Sequence, residues 1–149
     1  MKQLYYDVKK CVGCKSCELA CAVAHSLSQE LAKALQEESV SLPRKKVLNV
    51  GKNNYPVSCR HCKESLCVDA CMASALAFDP EKGIVVHDEA RCVGCWMCVM
   101  VCPYSAIRPD IRKKKPLRCD KCSDKDEPAC LKACPTGAII WQENAEVRL

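Results

Sequence analysis

Sixteen cysteines in a chain of 149 residues fall into four groups of four, and no other feature constrains the fold as strongly. The first group is Cys11, Cys14, Cys17 and Cys21, spaced C-x2-C-x2-C-x3-C. The second is Cys59, Cys62, Cys67 and Cys71, spaced C-x2-C-x4-C-x3-C. The third, Cys92, Cys95, Cys98 and Cys102, repeats the first spacing and is followed by Pro103. The fourth is Cys119, Cys122, Cys130 and Cys134, spaced C-x2-C-x7-C-x3-C, followed by Pro135. No cysteine is left over. Aromatic residues make up only 5% of the chain, with one phenylalanine, so the large side chains of an ordinary core are scarce. Small domains with weak cores need staples, whether disulfides, metals or partners. A hydrophobic content of 49% and a modest net charge argue against disorder.

The N-terminus, Met1-Lys2-Gln3-Leu4-Tyr5-Tyr6-Asp7, opens no apolar export segment and no twin arginine follows, so a cytoplasmic location is expected. No apolar run reaches the ~18 residues of a membrane span, so no direct membrane insertion is expected. A reducing compartment disfavours disulfides and turns the cysteine count toward metal. Zinc sites combine two C-x2-C pairs, or cysteines with histidines. Here a third thiol follows after two residues in groups one and three, and the three histidines form no H-x3–5-H pair. The third group, CVGCWMCVMVCP, has the spacing of bacterial iron–sulfur runs, in which the fourth cysteine ligates the other cluster of a two-cluster protein. Four runs therefore imply two exchanging pairs, four 4Fe-4S clusters, and all sixteen cysteines as metal ligands. Each oxidised cluster with its thiolates carries about −2, which brings the formal +5 to roughly −3. The basic surplus thus reads as compensation for buried negative clusters, and a nucleic-acid partner is not expected.

Along the chain, residues 3–8 read as a strand and ELACAVAHS as a helix carrying Cys21. Residues 27–38 read as a helix within an insertion over 26–40. Pro43 ends it, and RKKVLNVGKNNYPVS reads as strand and turn. A short helical turn is expected from Val68 to Leu76. Phe78 to Gly83 reads as a turn between two strands, the second being IVVHD. PYSAIRPD reads as a strand, RKKKPLR as a charged loop, and TGAIIWQE as a final strand. The pattern is α+β, with two pseudo-symmetric ferredoxin-like units.

Gly13 and Gly94 in the two CVGC loops let the backbone turn close to a cluster. His61, inside the second run, is expected to pack or hydrogen-bond beside a cluster, and His25 and His87 to be surface or supporting residues. Trp96 is expected to shield a cluster or pack between units; Trp141 follows the last strand. Met72, Met97 and Met100 read as adaptable core filling. Arg44-Lys45-Lys46 and Arg112-Lys113-Lys114-Lys115 read either as docking surfaces for an acidic partner or as solvated loops. Helix 27–38 reads as a cap over the first cluster, with self-association as the alternative.

The segments CVGCKSCELACAVAHS, CRHCKESLCVDACMASAL, GIVVHDEARCVGCWMCVMVCPYSAIRPD and KCSDKDEPACLKACPTGAI resemble the four-cluster iron–sulfur subunits of oxidoreductases. The resemblance is strongest to those of carbon monoxide dehydrogenase systems and tungsten aldehyde oxidoreductases. Dimethyl sulfoxide reductase, formate dehydrogenase and formate hydrogenlyase subunits are more distant. The resemblance implies that the first run pairs with the fourth and the second with the third. One cluster would take Cys11, Cys14, Cys17 and Cys134, and its neighbour Cys119, Cys122, Cys130 and Cys21. The inner pair would use Cys59, Cys62, Cys67 with Cys102, and Cys92, Cys95, Cys98 with Cys71. An outer unit of residues 1–57 plus 104–149 would then hold an inner unit of 58–103. The implied role is a non-catalytic electron conductor between a catalytic oxidoreductase subunit and a second redox partner, either a flavin- or nicotinamide-dependent subunit or a ferredoxin. No nucleophile–base pair, Walker loop or GxGxxG element appears. The alternatives are a freely diffusing polyferredoxin, the equivalent subunit of a hydrogenase or formate dehydrogenase, and a zinc-binding interaction module.

Overall fold

The computed structural model describes residues 2–143; the expected outer-unit ends, residue 1 and residues 144–149, lie outside the described residues. The strands form four separate antiparallel ribbons of two strands each. β1 (Lys2–Tyr6) pairs with β8 (Ile139–Glu143), bringing the chain ends together. β2 (Lys46–Val50) pairs with β3 (Asn53–Val57), β4 (Leu76–Asp79) with β5 (Ile84–His87), and β6 (Arg108–Asp110) with β7 (Lys115–Leu117). The three hairpins lie between successive cysteine runs, and the β1–β8 ribbon closes the series after the fourth.

The helices are short: α1 (Ser16–Ala24), α2 (Leu31–Ala34), α3 (Leu66–Asp69), α4 (Met97–Met100) and α5 (Ala129–Lys132). α1 packs on α5 and α3 on α4. α1 and α4 begin after a left-handed residue, Lys15 and Trp96, at the same place in the first and third runs. The last three runs end alike: Ser74, Ser105 and Gly137, each three residues past the final cysteine, are left-handed. Their N–H groups donate to the carbonyls of Cys71, Cys102 and Cys134 at 3.0, 3.2 and 3.4 Å. The first run departs, because α1 continues beyond Cys21.

The hairpin turns use local side-chain acceptors. Asp79 Oδ1 accepts the N–H groups of Glu81 and Lys82, and left-handed Gly83 enters β5. Asp110 Oδ1 accepts from Arg112 and Lys113, and Lys114 takes the left-handed position before β7. This is why the stretch expected to be a charged loop is a hairpin: an Asx-type turn forms without glycine.

The expected helix over 27–38 shrinks to the single turn of α2. Gln29 is left-handed, and the Glu37 carboxylate folds back to accept from the Ser28 N–H and hydroxyl and from the Leu27 N–H. Such side-chain bonds to the backbone compete with helix formation. The expected helical turn from Val68 to Leu76 is shorter and earlier, since Leu76 already belongs to β4.

The conventional core is thin. Its one cluster of buried residues is Cys17, Val47, Cys130 and Ile139, of which two are cysteines. Met72 and Met100 are not core filling, being 84% and 79% exposed, and Met97 is also exposed. In α4 the cysteine at 98 faces inward, so position 100 turns outward. Gly94, at φ +72°, sits against the β6–β7 turn, where an added Cβ would lie 2.4 Å from the Lys114 carbonyl oxygen. Gly94→Ala is therefore expected to destabilise by about 3 kcal/mol, through backbone collision added to the left-handed penalty. Gly51→Ala, where a Cβ meets nothing within 4 Å, is expected to lose about 1 kcal/mol from conformation alone. Anaerobic denaturant titrations of both variants measure the difference; equal losses would contradict the close-packing account.

Candidate metal centres

None of the sixteen cysteines is in a disulfide. Two hollows in the structure each bring together cysteines of two runs. One open hollow is lined by Cys11, Cys14, Cys17 and Cys134, closed by Val47 and Pro56 of the β2–β3 hairpin and by Ala138 and Ile139. A second is lined by Cys92, Cys95, Cys98 and Cys71, with Leu76, His87, Trp96 and Pro116 around it. Away from these hollows, Cys21 interacts electrostatically with Cys119, Cys122 and Cys130. Cys102 lies within reach of Cys59 and Cys67, and Cys67 of Cys62. Each hollow thus joins three cysteines of one run to the last cysteine of another.

Matching side chains support the first and third runs. Asn54 of β3 donates to the Cys11 carbonyl at 3.0 Å, and Lys115 of β7 donates to the Cys92 carbonyl. Backbone amides point at sulfur: Ala75 N–H at Cys71 Sγ (3.2 Å), Arg44 N–H at Cys21 Sγ (3.3 Å) and Lys121 N–H at Cys119 Sγ (3.4 Å). Burial pushes the Cys59 and Cys98 thiols up to about 11 and raises Cys119 further. Hydrogen bonding from Ser16 lowers that of exposed Cys14. The buried thiols hold their protons near neutrality until a metal displaces them, so loading releases protons.

The polar groups around the sulfurs were the least legible part of the sequence. Lys45, read as part of a docking or solvated stretch, is buried; its ammonium lies 4.6 Å over the Tyr6 ring and reaches the Tyr6 oxygen at 3.4 Å. Burial pushes the Tyr6 hydroxyl up to about 12, and Ser58 shares its proton at 2.5 Å. His61 is buried and accepts the Val85 N–H on Nδ1 at 3.0 Å. Burial, then Lys121 and Arg118, push its pKa down to about 3. The imidazole is neutral with its proton on Nε2, so neither ring nitrogen is free to bind metal. His25 donates between Asp120 (3.1 Å) and the Cys21 carbonyl (2.7 Å); burial lowers its pKa, but these bonds raise it overall to about 10. The ligand atoms of His25, Asp120 and Cys122 lie within 4.8 Å of one another. Asp120 already accepts from His25, Arg44 and the Cys122 N–H, which makes it a buttress between α1 and the fourth run.

The donor set fits iron–sulfur centres. Four cysteines converge at each of the two hollows, and buried side-chain nitrogens stand without a hydrogen-bond partner. His87 Nε2, in the wall of the second hollow, is one; Arg118 Nη1 is another. The sulfide ions of a cluster supply the acceptors such donors lack. Among the described residues no helix is long and apolar enough to cross a membrane.

Comparison with known proteins points to 4Fe-4S chemistry. A 4Fe-4S dicluster domain model matches residues 50–144, and a 4Fe-4S binding domain matches residues 9–24. The electron transport protein HydN of Escherichia coli is 37% identical over 150 residues, covering 90% of this chain and 83% of its own. An iron–sulfur protein of Rhodospirillum rubrum is 36% identical, covering 91% and 79%. A subunit of the anaerobic dimethyl sulfoxide reductase of Escherichia coli is 32% identical, covering 97% and 74%. A component of the active site complex BamBC of benzoyl coenzyme A reductase shares the fold, with a TM-score of 0.55 and 22% identity over 97% of this chain and 80% of that one. The chain belongs to the 4Fe-4S dicluster, ferredoxin-type family of iron–sulfur electron-transfer proteins.

Proposed function

We propose that the chain is a non-catalytic subunit that carries four 4Fe-4S clusters in a row between a catalytic oxidoreductase subunit and a second redox partner. The observation that carries this reading is the convergence, at each of two hollows, of the last cysteine of one run on three cysteines of another. All sixteen cysteines are taken as ligands. In row order, centre one is Cys11, Cys14, Cys17 and Cys134; centre two is Cys119, Cys122, Cys130 and Cys21. Centre three is Cys59, Cys62, Cys67 and Cys102; centre four is Cys92, Cys95, Cys98 and Cys71. The β1–β8 pairing and the α1–α5 and α3–α4 contacts support an outer unit of 1–57 with 104–149 around an inner unit of 58–103.

A 4Fe-4S centre with four thiolates supplies one-electron transfer and offers no open coordination position. The chain's residues hold, orient and shelter it. Backbone amides and buried N–H groups set its polarity, Trp96 and the hairpins exclude water, and two rims stay open. Cys14 and Cys95 are exposed, and Val12 and Val93 beside them are 63% and 72% exposed. These rims mark the two ends of the row and are the places for partners to approach.

The class of catalytic partner we carry from the sequence resemblance is a carbon monoxide dehydrogenase or an aldehyde oxidoreductase. The name of the dimethyl sulfoxide reductase relative offers a second class. Anaerobic copurification identifies which catalytic chain associates. A cytoplasmic location belongs to this reading.

Anaerobically isolated protein is expected to hold about sixteen irons per chain and negligible zinc. Metal analysis tests this, and four zinc ions with no iron would sink it. Cys71→Ala is expected to remove the same EPR signal as Cys98→Ala and to spare that of centre three. Loss of the second-run signal from Cys71→Ala would contradict the exchange.

A further inference from the structure

Among the described residues three cations are buried: Lys45 at 2%, Lys121 at 6% and Arg118 at 9% relative exposure. A buried charge is costly unless something opposite in sign answers it. Among the described residues none of the three forms a salt bridge with a carboxylate. Their oxygen partners are all neutral, and Lys45 also reaches the Cys130 thiol. Lys45 reaches the Tyr6 hydroxyl, and Lys121 donates to the Gly83 and Lys2 carbonyls at 2.8 and 3.3 Å. Arg118 donates through Nη2 to the Val85 carbonyl at 2.7 Å, leaving Nη1 buried without a partner.

The counter-charge at hand is sulfur, and each cation interacts electrostatically with cysteines of two of the centres proposed above. Lys45 is within Coulombic reach of Cys17 and Cys130. Lys121 is within reach of Cys119 and Cys59. Arg118 is within reach of Cys59, Cys67 and Cys98. In the row proposed above, these are centres one and two, two and three, and three and four.

We propose that Lys45, Lys121 and Arg118 form a ladder of fixed positive charges, one in each gap of the four-centre row, raising the midpoint potential of both centres that each one borders. The proposal rests on the four-centre reading. Reduction adds a negative charge to a centre, and a cation held nearby in a poorly screened interior favours that state. Because each cation is shared, it also offsets the repulsion between two reduced neighbours. All three residues act as tuning residues.

The test is EPR-monitored redox titration of the loaded protein under argon, with iron content measured on the same samples. Lys45→Met, Lys121→Met and Arg118→Met are each compared with wild type. Each is expected to lower two of the four midpoint potentials by about 59 mV, a tenfold fall in the reduced-to-oxidised ratio for a one-electron centre. The affected pairs overlap in sequence: Lys45 and Lys121 share one centre, and Lys121 and Arg118 share another. Lys45→Arg and Arg118→Lys keep the charge and are expected to keep the potentials. Lys45→Gln, Lys121→Gln and Arg118→Gln give second neutral forms should a methionine variant not load. Unshifted potentials at full iron content would overturn the ladder while leaving the row intact. So would a shift spread evenly over all centres, or an equal shift in the charge-retaining variants. Wild-type protein with fewer than four centres would overturn the row itself, and the ladder with it.

Discussion

Thiolate ligation is the constraint on which the structure depends. Four ribbons of two strands do not merge into a sheet, and a lone hairpin is marginal in water. Four of the five helices are single turns. The only fully buried sizeable side chains among the described residues are Val85 and Pro128. Packing on this scale leaves most of the ordering entropy of the chain unopposed. Metal–sulfur bonds formed only in the folded chain supply what the apolar core lacks. The backbone follows from this: left-handed residues and tight turns cluster around the cysteines, where they aim amides at sulfur.

Clustered thiolates bring a second problem, an excess of buried negative charge, and the proposed cation ladder answers it from places that look ordinary in the sequence. Lys45, Arg118 and Lys121 lie within basic or cysteine-rich stretches, and their burial makes sense only beside sulfur. Asp120, by contrast, is a lone buttressing acid whose charge Arg44 and His25 balance. The formal +5 is therefore partly an internal quantity.

Much of this was legible in the spacing of the cysteines, because ligand geometry depends on local separation. The strand pair before and after the 78–83 turn was also legible, whereas around Gly51 only one strand and the turn were, and β3 was not. The β6–β7 hairpin was not, because Lys114 holds a left-handed position usually betrayed by glycine. The segment 27–38 misled because helix propensity is a weak prior, and Glu37 bonding to Ser28 outweighs it. Met72 and Met100 looked like filling, but Met100 sits in a one-turn helix whose cysteine takes the inward position, and Met72 lies exposed past the end of α3. Buried lysine is a rare outcome that residue type alone argues against, so no sequence signal pointed to Lys45.

The claim that clusters, not apolar packing, hold this fold is tested most directly by removing iron under anaerobic conditions and recording the amide NMR spectrum. The account predicts that chemical-shift dispersion collapses as iron leaves and returns when iron and sulfide are restored. A dispersed spectrum with the β1–β8 pairing intact in iron-free protein would contradict it.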